Sequence, residues 1–122
     1  MFSVEGLWCF QTTSYDDLVN LKYGGVVALE TGRVFGGDSF MAYVGTYQMH
    51  DSGIRATIQS WQWNLTIGDG VENVFGMKAP IKPYTVVAEM VRVDDRLEGS
   101  IHPQDDPDAQ LPIRMIFIKE LP

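Results

Sequence analysis

Turn-forming residues break this chain about every ten residues, and most segments between them alternate apolar with polar side chains or are apolar throughout. A period of two belongs to a strand with one buried face, because successive side chains point to opposite sides of the backbone. The first such stretch runs from Phe2 to Phe10. Its even positions Phe2, Val4, Gly6, Trp8 and Phe10 are expected to face inward, and Ser3, Glu5, Leu7 and Cys9 outward. About eight segments of this kind, with almost no helix, predict an all-β fold. Consecutive hairpins favour an eight-stranded up-and-down antiparallel barrel, since closure removes the sheet edges that would otherwise invite aggregation. The chain has 122 residues and reads as one domain, 1-122.

The stretch Gly32 to Tyr47 shows how local chemistry punctuates the strands. It reads as a short strand, a Gly36-Gly37-Asp38-Ser39 turn that exploits the positive φ open to glycine, and a longer strand carrying Tyr43, Gly45 and Tyr47. Gly45 between two tyrosines marks a bulge, a barrel corner or a close backbone approach. In the strand from Ile54 to about Leu65 the apolar residues change parity, from Ile54, Ala56 and Ile58 to Trp61, Trp63 and Leu65. Either a β-bulge near Gln59-Ser60 resets the register there, the favoured reading for a long curved strand, or the two ends of the strand bury different faces. Thr12 to Tyr23 has room for one helical turn. Thr66 to Pro83 is the longest connection, and its Val74-Phe75 pair is expected to tuck against the barrel.

Composition excludes several classes of function. Nine Lys and Arg against 16 Asp and Glu leave a net charge of −7, with the cations dispersed along the chain, so direct nucleic-acid binding is not expected. No apolar run approaches a membrane span, and the opening Met-Phe-Ser-Val-Glu-Gly lacks the basic and apolar regions of a signal peptide. A single cysteine, Cys9, permits no intrachain disulfide and favours a reducing compartment; a cytoplasmic location is expected.

No constellation for catalysis stands out. His50 and His102 lie at turns with no recognised ligand spacing, Cys9 has no nearby base, and Ser39 and Ser60 lack a nucleophile-elbow context. Neither enzyme activity, nor a metal, nor a cofactor is expected. The strongest candidate site is aromatic: Trp8, Phe10, Tyr43, Tyr47, Trp61 and Trp63 include residues that should point into a barrel lumen, where they would fill the core or hold a small hydrophobic ligand. The last strand, Leu111 to Leu121, sets Ile113, Met115 and Phe117 against Ile116 and Ile118. Both faces are apolar, so the outer one needs a cover, and Ile116 and Ile118 are the candidate face of a homodimer. Asp94, Asp95, Asp105, Asp106 and Asp108 are the candidate acidic surface for a basic partner.

Gly6-Leu-Trp-Cys-Phe10, Gly24-Gly-Val26, Gly36-Gly-Asp38, Tyr43-Val-Gly-Thr-Tyr47 and Phe75-Gly76, in this order and spacing, resemble the GrlR-like proteins, small bacterial negative regulators of type III secretion genes. The resemblance implies a lipocalin-like (calycin-like) eight-stranded barrel that dimerises and acts by sequestering a transcriptional activator. It does not carry over at one place. An acidic Glu-Asp-Glu-Asp run follows the Tyr-x-Gly-x-Tyr strand in the best-known member, whereas here that turn is His50-Asp51-Ser52-Gly53. The Gly6-x-Trp8 pair also resembles the N-terminal motif of lipocalins, in which the tryptophan closes the barrel base.

Overall fold

The computed structural model describes residues 3–13 and 23–122. The helical turn expected between Thr12 and Tyr23 falls largely outside them. Eight antiparallel strands follow one another: β1 (Gly6–Thr12), β2 (Tyr23–Glu30), β3 (Arg33–Gly37), β4 (Met41–His50), β5 (Gly53–Gln62), β6 (Tyr84–Val93), β7 (Arg96–Pro103) and β8 (Leu111–Lys119). Each pairs with the next, and β8 returns to β1, so the sheet closes into an up-and-down barrel of lipocalin-like form. No helix occurs among the described residues.

Alternation supplies the core. Val4, Trp8, Phe10, Val27, Leu29, Val34, Tyr47, Ile54, Ala56, Met90, Leu97 and Met115 are buried together in the interior. Strand β1 alternates buried and half-buried along its length, with Gly6, Trp8, Phe10 and Thr12 inward. At the end where β1 begins, Trp8 donates its indole N–H to the Val4 carbonyl (2.9 Å) and meets the Phe117 ring edge-on, 5.4 Å between centroids. Leu97, wholly buried, lies in the β7 strand that leaves the same end.

Two expectations about the backbone are overturned. Gly36 and Gly37 do not form a turn of positive φ; they close β3 and pair with Tyr43 and Ala42. The reversal is made by Asp38, whose carboxylate accepts the backbone N–H groups of Phe40 (2.8 Å) and Met41 (2.6 Å). An aspartate bonding its own following amides is a turn device that needs no glycine. Nor is there a bulge at Gln59-Ser60: β5 pairs with β4 and β6 in unbroken register through Ser60. The change of parity instead means that Trp61 lies on the outer face. The register shift lies between Leu7 and Trp8, where β1 meets β8.

Gly45 faces inward, opposite Ile58. A Cβ there would run into the Thr57 carbonyl and the Ile58 backbone of the neighbouring strand. Gly99 meets the Glu89 carbonyl and the Met90 backbone in the same way. Both glycines are barrel corners, where adjacent strands cross more closely than any side chain allows.

Candidate functional site

The interior is incompletely filled. A cavity of about 80 Å³ runs along the barrel axis between apolar walls that include Phe10, Leu29, Ile58, Val86, Ile113 and Met115. Antiparallel order fixes which loops surround each end. The connections after β3, β5 and β7 gather at one end, the mouth, where β1 also ends, and those after β2, β4 and β6 at the other, the base, which Trp8 fills.

The mouth carries the polar groups of the lumen. Tyr43 on β4 and Tyr84 on β6 both reach the cavity. The Tyr43 hydroxyl donates to Asp38 Oδ2 at 2.7 Å. Burial, then the adjacent carboxylate, hold its pKa far above the ordinary tyrosine value. The Tyr84 hydroxyl accepts from Asn73 Nδ2 at 2.9 Å. Burial pushes its pKa up to about 12, against the opposing hydrogen bond from Asn73. Ser60 also lines the cavity, is fully buried, and has no hydrogen-bond partner for its Oγ. It lies close enough to Tyr84 to lower that phenol's pKa, although no hydrogen bond of normal geometry joins them.

The long connection from 63 to 83 covers this end, and buried amides hold it in place. Asn73 Oδ1 accepts the N–H groups of Phe75 (3.0 Å) and Met77 (2.9 Å) while its Nδ2 reaches Tyr84. Phe75 thereby enters the cavity wall and meets the Tyr84 ring edge-on. Gln62, also buried, accepts from the Ile81 N–H and donates to the Asn64 carbonyl. Ser60, Gln62, Asn73 and Tyr84 were missed by pattern reading, because each is a single polar residue in a strand or loop. The expected inward turn of Val74-Phe75 is present, and it was the legible trace of this lid.

The six aromatic candidates separate. Phe10 and Tyr43 line the cavity; Trp8 and Tyr47 are buried in the core without lining it. Trp61 and Trp63 are not in the lumen. Trp61 lies on the outer side of β5, and Trp63 is 54% exposed, its indole N–H donated to the Asp38 carbonyl (2.8 Å) to tie the lid to the β3–β4 turn. Both follow from the unbroken register of β5, which turns odd positions outward.

The candidate acidic surface also divides. Asp94 and Asp95 form the β6–β7 turn at the base, whereas Asp105, Asp106 and Asp108 lie in the β7–β8 loop at the mouth. The eight residues of β7 separate them, a rise of roughly 25 Å. They are two exposed patches. Among the described residues no three His, Cys, Asp or Glu side chains gather in a metal-binding group.

Ile116 and Ile118 stand outward on β8, 37% and 50% exposed, as expected for the candidate dimer face. Phe117, expected with the inner set, is 40% exposed at the strand's end, where it covers Gly6. The outer apolar surface extends well beyond β8. One cross-strand row runs Ile116, Cys9, Val26, Gly37, Ala42, Trp61; the adjacent row runs Leu7, Ala28, Phe35, Val44. Val26, Phe35 and Val44 are each more than two-fifths exposed. No helix among the described residues is long and apolar enough to cross a membrane. No family model and no curated protein matches this chain.

Proposed function

We propose that this is a non-enzymatic bacterial regulatory protein, acting in the cytoplasm through protein–protein contact as the GrlR-like regulators it resembles do, by holding a transcriptional regulator. The observation that supports it best is the pair of apolar rows crossing the outer face of β8, β1, β2, β3 and β4. An exposed apolar expanse of this kind is unusual on a solitary soluble domain and marks a surface that another protein covers. Ile116 and Ile118 at its margin are where a second copy would dock in a homodimer. The net charge of −7 favours a basic protein partner over a nucleic acid.

Two measurements test this reading. Light scattering at micromolar concentration should give the mass of a dimer, and immobilised protein should retain a partner from bacterial lysate that Val44→Lys releases. A charge-assisted partner should also weaken at high salt. A monomer that retains no protein at either ionic strength would refute the proposal.

The unfilled lumen favours a second reading, a carrier of small hydrophobic molecules.

A further inference from the structure

We propose that the lumen is a binding site for a neutral, short-chain molecule with one oxygen function, its oxygen hydrogen-bonded to Ser60 at the mouth and its apolar body lying along the barrel axis. This deepens, and rests on, the carrier reading above.

Three observations define the ligand. The first is an unmet polar group: Ser60 Oγ is completely buried, lines the cavity and has no hydrogen-bond partner. Buried hydroxyls are almost always bonded, so an orphan facing a cavity points to an occupant that completes it. Tyr84 accepts from Asn73 and interacts with Ser60, so its own O–H can turn to Ser60 Oγ or to the same occupant.

The second observation is size. An apolar cavity of roughly 150 Å³ holds benzene, so the 80 Å³ here suits roughly three to five non-hydrogen atoms. A long acyl chain does not fit within it. The walls that would meet the body, Leu29, Ile54, Val86 and Met90, carry no polar side-chain atom apart from the methionine thioether.

The third is charge. The carboxylate of Asp38 at the lumen mouth is already bonded to Tyr43 and repels an anion, as do Asp105, Asp106 and Asp108 in the loop at the same end, and among the described residues the walls supply no cation to pair with one. Burying a charge among hydroxyls and alkyl groups is far costlier than burying an alcohol or ketone oxygen. Short-chain acids are therefore excluded, and neutral alcohols, ketones and esters remain.

The test titrates the full chain with 1-butanol and, separately, with butyrate, following backbone amides and side-chain methyls by NMR. Saturable shifts at Ser60, Tyr84 and the Ile58 and Val86 methyls are expected with 1-butanol and none with butyrate at the same concentrations. Ser60→Ala should weaken 1-butanol binding by about tenfold. Ala88→Val, which narrows the lumen, should abolish it, with Ala56→Val as the alternative should the first variant fail to fold. Butyrate binding as well as 1-butanol, or Ser60→Ala binding 1-butanol as tightly as the wild type, would overturn the ligand assignment and leave the carrier reading standing. No saturable shift with either compound would overturn both.

Discussion

The hydroxyl of Tyr43 donates to Asp38 Oδ2 at 2.7 Å, while the other oxygen of the same carboxylate accepts the two amides that reverse the chain between β3 and β4. One side chain thus shapes a turn and anchors an aromatic ring in the lumen wall. Tyr43 packs edge-on against Phe10, 5.4 Å between ring centroids, so the anchor extends across the mouth to β1.

Tyr43→Phe keeps the ring and deletes the bond to the carboxylate. A hydrogen bond to a charged, partly buried acceptor contributes about 2 kcal/mol, and urea unfolding should show a loss of that size with an unchanged m-value. Asp38→Ala should cost more, because the Phe40 and Met41 amides lose their acceptor as well. A loss below about 0.5 kcal/mol in Tyr43→Phe would show that the bond exchanges freely with water.

Alkaline stability follows from the two lumen tyrosines. Both phenols have folded pKa values above the ordinary 10, Tyr84 at about 12 and Tyr43 higher still. Below pH 10 both states are protonated and the stabilisation is complete. As pH rises past 10 the unfolded chain loses protons that the native state keeps, so stability falls by up to about 1.4 kcal/mol per pH unit for each tyrosine. The loss from Tyr84 runs from pH 10 to about 12. Phenolate absorbance should therefore show Tyr43 and Tyr84 ionising only late, with loss of the native circular dichroism. Tyr43 and Tyr84 titrating near pH 10 in a native barrel would contradict this.

Gly45→Val should be among the most damaging single changes in the protein. Its Cβ would meet backbone atoms of β5, which cannot rotate away as a side chain can. A loss of about 3 kcal/mol or failure to fold is expected. Gly68→Ala is the control: nothing lies within 4 Å of the added carbon, and the melting temperature should hardly move.

Asn73→Ala removes the acceptor of the Phe75 and Met77 amides and the donor to Tyr84. Hydrogen exchange at those two amides should accelerate by at least about tenfold while the strands β4 and β5 keep their protection. Equal acceleration throughout the barrel would instead make Asn73 a part of the global core.

On the outer surface, Ile116→Lys and Ile118→Lys should each convert a dimer to a monomer in light scattering without lowering the melting temperature of the isolated barrel by more than a few degrees. Both positions are exposed in the single chain, so a lysine there costs little in the fold itself. Unchanged mass in both variants would place the contact elsewhere.

Strand order was readable because each strand announces itself locally: alternation in Phe2–Phe10, Val86, Ala88 and Met90 sharing one face of Tyr84–Val93, and turns at Asp94-Asp95 and His50-Asp51-Ser52-Gly53. The tryptophans Trp61 and Trp63 were misplaced for a definite reason. A large apolar side chain is more often inside, and the unbroken pairing of β5 with two neighbours outweighs that preference. Gly36 and Gly37 misled in the same way, since a paired glycine suggests a turn, while the turn here is made by the Asp38 carboxylate.

Local pattern alone determined that this chain forms eight antiparallel strands in sequence order, with inward faces and corners close to where they stand. Period two and turn chemistry are properties of neighbouring residues. Tertiary structure alone decided that Ser60 is buried beside Tyr84 in the lumen, that Asn73 draws Phe75 into the mouth, and that Ile116, Cys9 and Val26 line up with Trp61 across the outer sheet. Those relations join residues from different strands and loops, and closing the barrel is what sets their distances.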